Sequence, residues 1–257
     1  MRLKNPVRIV KRAGRFIRPI ASGKFNFGHC AICSAGTLFI ESGDDLRECY
    51  VCFHCLSIPR WRALFAKLED LFPNWRELKI LESSPAGACS KRIASECPGY
   101  VPTHFFPNVP TGTLHDGVRC EDLERLTFAD ESFDVVLTQE VMEHLFDPQA
   151  AFAEIARVLK PGGVHLFTVP YLNNAPTVVR AQRRGSQVQH ILEPAYHGNP
   201  IDDNGSLVVT DWGSDIREQI FQASGLQTQI VDETNRRKGI AGRSPEVFIS
   251  RKPEQSA

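Results

Sequence analysis

Long apolar runs are missing from the sequence, and none approaches the roughly 20 residues that a helix needs to cross a bilayer. The basic N-terminus is followed by neither a continuous apolar stretch nor a small-residue cleavage site, so we expect no secretory signal. These absences favour a cytoplasmic protein. An amphipathic organelle-targeting segment stays open as an alternative, because residues 1–40 contain no acidic residue.

Net charge is also lacking, since 30 Lys and Arg residues balance 30 Asp and Glu residues. The balance is uneven along the chain, because residues 1–25 form a basic arm and the remainder is net acidic. Such an arm can contact phosphates or an anionic membrane face, and the alternative is a solvated, partly disordered tail. A hydrophobic content of 42% over 257 residues allows one α/β domain of ordinary size plus a smaller appendage.

Internal repeats and low-complexity tracts are absent as well, and the pattern after the cysteines alternates helix and strand. We expect a basic arm over residues 1–25, a zinc-ribbon-like module over 26–60 and an α/β domain over 61–252. Periodicity and Gly/Pro breaks predict helices over 61–72, 148–159 and 211–223, and strands over 79–81, 133–138, 164–169, 227–231 and 246–250. Residues 171–210 form an insert whose length is typical of functional lids or disordered segments.

The cysteines do not predict a disulfide framework, because nothing indicates secretion and cytosolic thiols stay reduced. Cys30-x2-Cys33 and Cys52-x2-Cys55 are separated by 18 residues, which is the spacing of a zinc ribbon. Two such knuckles close a tetrahedron of thiolates around Zn²⁺ without an open position, so the expected zinc is structural. Cys49-x2-Cys52 is a further knuckle that leaves the ligand set open, and reduced thiols without metal are the alternative.

A series of motifs occurs in order between residues 118 and 170. They are an Asp-Leu-Glu-Arg segment, a Phe-Asp turn before a strand, a Glu-His pair and an Arg-Val-Leu-Lys-Pro-Gly-Gly helix end, beginning at Asp122, Phe133, Glu143 and Arg157. Their order and spacing resemble the methyltransferase type 11 family of S-adenosylmethionine (SAM)-dependent enzymes. The resemblance implies a class I methyltransferase: a Rossmann-like α/β sheet with helices on both faces, here preceded by a small zinc ribbon.

The resemblance also implies where SAM binds. Asp122 would accept a hydrogen bond from the adenine amine, and Leu123 would offer its backbone N–H to the ring. Gln139, at the end of the strand predicted over 133–138, would lie near the sulfonium together with Glu140.

Two positions depart from the family pattern. The first motif reads Glu82-Ser83-Ser84-Pro85-Ala86-Gly87, with one glycine where the family has Gly-x-Gly-x-Gly, although small residues still allow close backbone approach. After the second strand, Thr103 and His104 stand where the family usually has an acid for the ribose diol. Both can bind hydroxyls, but less strongly than a carboxylate. The candidate cofactor-binding residues at these positions are Glu82, Ser83, Gly87, Thr103 and His104.

The second cysteine knuckle runs into the first predicted helix as Cys52-Phe-His-Cys55-Leu-Ser57-Ile-Pro-Arg60-Trp61-Arg62. This is similar to some methyltransferase-domain proteins, in which Cys-x2-Cys is followed by a Ser-x-x-Arg-x-Arg helix. The similarity implies that the ribbon packs directly against that helix.

Residues 171–215 concentrate polar and aromatic side chains able to orient a small acceptor, namely His190, Tyr196, His197, Asp202, Asp203, Asp211, Trp212 and Asp215. We expect His197, with Tyr196 beside it, to be the catalytic base that takes the proton from an attacking hydroxyl. Because the sulfonium already drives methyl transfer, positioning often matters more than base strength. Surface-loop contacts are the alternative for each of these residues.

The expected function is methyl transfer to a small-molecule or glycan acceptor, at oxygen. RNA methylation is one alternative, because a zinc ribbon and a basic arm can hold nucleic acid. Zero net charge and the lack of an Asn/Asp-Pro-Pro-aromatic motif argue against it. A non-catalytic SAM-fold binding protein is the other alternative, since the first motif is poor.

Overall fold

The computed structural model describes residues 16–185, 187–198 and 205–254, so most of the predicted basic arm, and Asp202 and Asp203, lie outside the described residues. Residues 16–21 are helical. The further helices are α1 (Leu46–Cys49), α2 (Pro59–Leu71), α3 (Gly87–Glu96), α4 (Pro148–Val158) and α5 (Ile216–Ser224). No helix in these ranges is long and apolar enough to cross a membrane.

The strands of the described chain, in order, are β1 (Phe25–Cys30), β2 (Ala35–Glu41), β3 (Tyr50–Cys52), β4 (Ile80–Ser83), β5 (Tyr100–His104), β6 (Leu114–His115), β7 (Val118–Cys120), β8 (Phe133–Gln139), β9 (Leu159–Thr168), β10 (Tyr171–Leu172), β11 (Val178–Val179), β12 (Ala181–Arg184), β13 (Gln187–His190), β14 (Tyr196–His197), β15 (Ser206–Leu207), β16 (Thr210–Gly213), β17 (Gln227–Asp232) and β18 (Glu246–Arg251).

Eight of these strands form one sheet in the order β17-β18-β9-β8-β4-β5-β7-β6. The central strands β9, β8, β4, β5 and β7 are parallel, whereas β18 runs antiparallel to both of its neighbours. Helices α2 and α3 cover one face, and α4 and α5 cover the other, so an apolar core lies on each side. This architecture confirms the predicted Rossmann-like α/β sheet with helices on both faces. The carboxyl ends of the parallel strands share one edge, where open α/β sheets bind ligands.

Local sequence explains the central strand and the helix that follows it. The centre of β8 is apolar, which favours burial of both faces of the strand, with Val135 in one core and Val136 in the other. Helix α4 begins after Asp147, whose side chain accepts a hydrogen bond from the Ala150 backbone N–H at 3.0 Å. This cap satisfies one of the N–H groups that have no partner within the helix.

The start of the fifth parallel strand differs from the prediction. Helix α4 ends at Val158, as the following Lys-Pro-Gly-Gly segment indicates, but β9 begins at Leu159 and already contains that segment. A register shift against β8 between Phe133 and Val135 accommodates it. The predicted start at residue 164 is therefore wrong.

The helix predicted over residues 211–223 begins later in the structure. Strand β16 occupies the first of these residues, with Trp212 buried in the core, and α5 starts at Ile216. A helical period fits the buried residues Trp212, Ile216 and Ile220. Trp212 nevertheless belongs to β16. Periodicity alone does not separate these cases over such a short stretch.

The N-terminal module is the antiparallel sheet β1-β2-β3, which packs against α2 and the loop before β18. Gly28 is required at this contact, because a Cβ there would lie 2.0 Å from the Arg237 carbonyl oxygen. Module and main sheet contribute to one hydrophobic cluster, and α2 spans the predicted boundary at residues 60 and 61. The N-terminal module thus packs on α2, the first of the predicted helices, as the resemblance implies.

The insert contains short strands rather than plain loop. Strands β10 and β11 pair with β16, while β12–β13 and β14–β15 each form a hairpin. The chain returns to the sheet through Val209, whose N–H donates to the Glu143 carbonyl oxygen at 2.8 Å. This contact brings the β14–β15 hairpin over the turn that follows β8.

Candidate active site

Four cysteine side chains converge at the end of β1 and around the turn after β3. The Sγ atoms of Cys30, Cys33, Cys52 and Cys55 all lie within 4.8 Å of one another, and the Cys30–Cys55 and Cys33–Cys52 pairs are 3.7 and 3.9 Å apart. A tetrahedron with Zn–S bonds of about 2.3 Å has edges of about 3.8 Å, so this spacing fits zinc. Cys49 is not part of the group. Four protein ligands leave no exchangeable position, which fits a structural ion.

A buried arginine stands behind the cysteines. The Arg62 guanidinium is fully buried and donates to the carbonyl oxygens of Ser57, of Tyr50 at 2.6 Å and of Gly239 at 3.0 Å. Ser57 Oγ in turn lies 3.1 Å from Cys55 Sγ. Burial lowers the pKa of Arg62 to about 10, so the side chain is still a cation at neutral pH. Its carbonyl partners are neutral, whereas four thiolates around Zn²⁺ would carry a net double negative charge that attracts this buried cation.

Several predicted cofactor residues meet at the carboxyl ends of β4, β5 and β8. A cavity of about 170 Å³ lies there, and its lining includes Ser83, Phe105, Asp122, Leu123 and His144. Asp122 Oδ1 accepts a hydrogen bond from the Glu124 N–H at 2.9 Å, which shapes the turn that presents it. The structure therefore brings Ser83, Asp122 and Leu123 together. Phe105, which follows β5, adds an aromatic surface.

Glu82 lies beneath this cavity and is fully buried. Its Oε2 atom accepts from the Tyr100 hydroxyl at 2.6 Å, and its Oε1 atom accepts from the Ser90 hydroxyl and Gln139 Nε2, both at 2.8 Å. Burial raises the pKa of Glu82, and these hydrogen bonds oppose that shift. Its carboxylate is thus engaged within the protein, where it fixes Gln139. The Oε1 atom of Gln139 is buried without a partner in the described chain, which leaves an acceptor for a ligand.

Three other predicted cofactor residues take different positions. The buried Thr103 hydroxyl donates to the Glu82 carbonyl oxygen at 3.3 Å, so it is not directed at a ribose. Gly87 has a φ of +75°, and a Cβ there would lie 2.2 Å from the Trp61 ring. This glycine therefore accommodates the indole. His104 keeps a buried Nδ1 atom without a partner in the described residues, and burial lowers its pKa.

A second polar group lies beside the end of β8. Glu143 is only 1% exposed, and its Oε1 atom is 3.5 Å from His197 Nδ1 and 3.7 Å from His144 Nε2. The Leu207 carbonyl oxygen is 2.8 Å from His144 Nδ1 and can only accept a hydrogen bond, so Nδ1 is the donor. In the neutral ring, Nε2 then carries no proton. The Glu143 carboxylate raises the pKa of His197 above its ordinary 6.5. The three side chains converge closely enough that they would also fit a divalent cation.

His144 and His197 line an open cavity of about 610 Å³, which is large enough for a small organic molecule, and Glu143 lies buried behind them. The insert contributes His197, and the turn after β8 contributes Glu140 and His144. The N-terminal module adds Arg47 and Glu48. Arg47 is absent from the sequence prediction, because no motif marks it.

The structure separates the two residues predicted to act on the acceptor. Successive side chains of a strand point to opposite faces, so Tyr196 in β14 faces away from His197, and it does not line the cavity. Tyr196 is 58% exposed. His190 is exposed on β13, Asp211 forms an ion pair within the insert, and Trp212 packs in the core. His197 is thus the predicted acceptor-site residue that reaches the cavity.

Comparison with known proteins bears on the segment that follows β5. Residues 107–167 match the family model described as a methyltransferase domain, of type 11, which confirms the predicted resemblance. The ubiquinone biosynthesis O-methyltransferase of Parvibaculum lavamentivorans is 39% identical over 64 residues, covering 22% of this chain and 25% of that protein. An uncharacterized methyltransferase of Schizosaccharomyces pombe is 49% identical over 45 residues, covering 18% of this chain and 16% of that protein. The chain therefore spans a quarter or less of these relatives.

Solved structures with a similar backbone include two small-molecule methyltransferases. The 1,6-didemethyltoxoflavin-N1-methyltransferase of Burkholderia thailandensis has a TM-score of 0.48 at 14% identity, over 76% of this chain and 79% of that one. An amino pentose methyltransferase of Micromonospora echinaspora has a TM-score of 0.47 at 14% identity, over 73% of this chain and 87% of that one.

Proposed function

We propose that this chain, whose residues 107–167 carry a methyltransferase domain, is a SAM-dependent methyltransferase acting on an oxygen of a small-molecule or glycan acceptor. The observation that carries the acceptor site is the Glu143–His197 pair beside the end of β8. Oxygen as the acceptor atom is supported by the O-methyltransferases among the relatives.

The residues at the carboxyl edge of the sheet fit the cofactor. SAM supplies an electrophilic methyl group there when bound. Asp122 and the Leu123 N–H would hold the adenine, and Ser83 would line the other end of the cavity. Gln139 is held by Glu82 and keeps a free buried oxygen, which a donor on the cofactor would satisfy.

His197 would serve as the base that removes the acceptor proton. Glu143 lies against Nδ1, so Nε2 is the nitrogen left for the acceptor hydroxyl. The carboxylate orients the ring and stabilises the imidazolium that forms when the proton arrives. Because Glu143 is buried, solvent screens this interaction less than it would at the surface.

The four-cysteine cluster would hold one zinc ion in the same protein. Its ligands are Cys30, Cys33, Cys52 and Cys55, and the spacing of their sulfur atoms supports the assignment. A closed thiolate site stabilises the fold and does not take part in the transfer.

The direct test incubates the metal-replete protein with methyl-labelled SAM and a panel of phenols, polyols and sugars. We expect labelled product from at least one hydroxylated compound. His197→Gln should lower turnover about 100-fold, the lower range for a lost general base, while affinity for S-adenosylhomocysteine stays unchanged.

His190→Gln is the matched control, because this histidine belongs to the same insert but is exposed on β13 outside the cavity. It should react like the wild type. Equal turnover in the wild type and His197→Gln would return His197 to a surface-loop role, and loss of S-adenosylhomocysteine binding in that variant would place it in the cofactor pocket.

A further inference from the structure

The N-terminal module reaches the acceptor cavity through α1. Arg47 of this helix is 7% exposed, and its Nη2 atom lies 2.8 Å from Glu140 Oε1. Glu48, the next residue, accepts two hydrogen bonds from Arg60 at 2.8 and 3.0 Å and lies 3.6 Å from Arg47 Nη1. All four side chains line the cavity. One wall of this cavity is therefore built by the cysteine-containing module.

Glu140 depends on its surroundings to hold its position. Its φ of +55° lies in the left-handed region, which residues with a side chain rarely adopt and which persists only where neighbouring contacts enforce it. One such contact is the hydrogen bond from the Glu140 N–H to the Thr168 carbonyl oxygen at 3.0 Å. Another is the Arg47 guanidinium on the Glu140 carboxylate. Burial and the Glu143 carboxylate raise the pKa of Glu140, and Arg47 and Arg60 oppose that shift.

A short stretch of chain connects Arg47 to the cysteine cluster. Helix α1 leads directly into β3, whose last residue is the proposed zinc ligand Cys52. On the other side, the Arg47 N–H donates to Asp45 at 3.1 Å, and Gly242 packs so closely that a Cβ there would lie 2.5 Å from the Arg47 nitrogen. A shift of Cys52 would therefore be transmitted to Arg47 through four residues, two of the strand and two of the helix.

We propose that Arg47 is a positioning residue that holds the Glu140 carboxylate in the acceptor cavity, and that metal binding by the four cysteines keeps Arg47 in place. The inference rests on the proposed function, which assigns this cavity to the acceptor. Glu140 then offers a fixed carboxylate to a hydrogen-bond donor on the acceptor, such as a second hydroxyl or an ammonium group. The cavity assigned to the cofactor has no lining residue from the module, so the direct contacts of Arg47 are confined to the acceptor cavity.

The test compares Arg47→Met and Arg47→Lys with Arg236→Met in the metal-replete full chain. Arg236 pairs with Glu41 across the same interface, but it is half-exposed and lies outside the cavity. We expect Arg47→Met to speed hydrogen exchange of the peptide 139–144 by about five-fold or more, through local opening, while the Kd for S-adenosylhomocysteine stays within about two-fold. Arg47→Lys should restore part of the protection, and Arg236→Met should match the wild type.

Removing the metal from the wild type with a chelator should reproduce the exchange pattern of Arg47→Met. With the panel compound that reacts fastest, Arg47→Met should raise the acceptor KM about ten-fold and change kcat less. Unaltered exchange at 139–144 in Arg47→Met, or after metal removal, overturns the proposal. Loss of S-adenosylhomocysteine binding in step with the exchange would also overturn it, because the effect would then be one of folding. Absence of reaction with every compound counts against the proposed function, and the exchange comparison still decides on Arg47.

Discussion

Replacing Arg62 tests how strongly the cysteine module is tied to the α/β domain. Arg62→Met keeps a long apolar stem but removes the guanidinium that donates to the carbonyl oxygens of Ser57, Tyr50 and Gly239. The Ser57 oxygen retains a hydrogen bond from the Cys52 N–H at 3.0 Å, so the carbonyl groups of Tyr50 and Gly239 are the two that would be left unpaired. A buried polar group left unpaired costs about 1–3 kcal/mol, which gives a loss of roughly 2–6 kcal/mol in the free energy of unfolding. That is a large part of the ~5–15 kcal/mol of a typical domain.

Urea unfolding of the metal-replete protein, followed by circular dichroism, measures this loss. Arg62→Lys keeps the charge but not the planar fork, so it should recover only part of the stability. The control is Arg76→Met, which removes an arginine whose ion pair with Glu96 is exposed at the surface and should cost about 1 kcal/mol or less. If Arg62→Met unfolds within about 1 kcal/mol of the wild type, the buried guanidinium is not needed to join the two parts.

Three further perturbations address the metal, the cofactor and the base. Cys33→Ser should reduce zinc in elemental analysis well below about one ion per chain and lower the Tm, since metal binding is coupled to folding; an unchanged metal content would contradict the four-cysteine site. Asp122→Ala should weaken S-adenosylhomocysteine binding in calorimetry by about 1–3 kcal/mol, and equal affinity would refute the adenine assignment. As the proposed base, His197 must be neutral to accept a proton, and Glu143 raises its pKa above 6.5, so kcat/KM should rise with pH through that raised pKa. Glu143→Gln should move this rise to lower pH, and an unmoved profile would exclude the pair.

Most of the main sheet is predictable, because the residues of each strand and its immediate neighbours mark it in the sequence. Strand β8 has three consecutive apolar residues, Val135, Val136 and Leu137, that are buried on both faces, and α4 has a capping Asp147 and an apolar stripe. The start of β9 was not predictable, since a Lys-Pro-Gly-Gly segment normally ends an element and here enters a strand through a register shift. The strands of the insert were also missed, because each is only two to four residues long.

The candidate site was predictable only where spacing or a motif marks it. The four cysteines are identified by their spacing, and the structure brings their sulfur atoms together. The role of Glu82 is different, because its position in a motif does not show that Tyr100, Ser90 and Gln139 already use its carboxylate. Likewise, nothing in the sequence indicates that Arg47 of the N-terminal module forms an ion pair with Glu140, since that contact joins residues 93 positions apart.

The most direct test of the central claim is calorimetric titration of S-adenosylhomocysteine into the metal-replete wild type, with hydrogen exchange measured on the same complex. A class I methyltransferase should bind about one ligand per chain at the carboxyl edge of its sheet. We predict that the ligand protects the peptides containing Ser83, Asp122 and Gln139 from exchange. Absence of binding, or protection confined to the N-terminal module, would contradict the account.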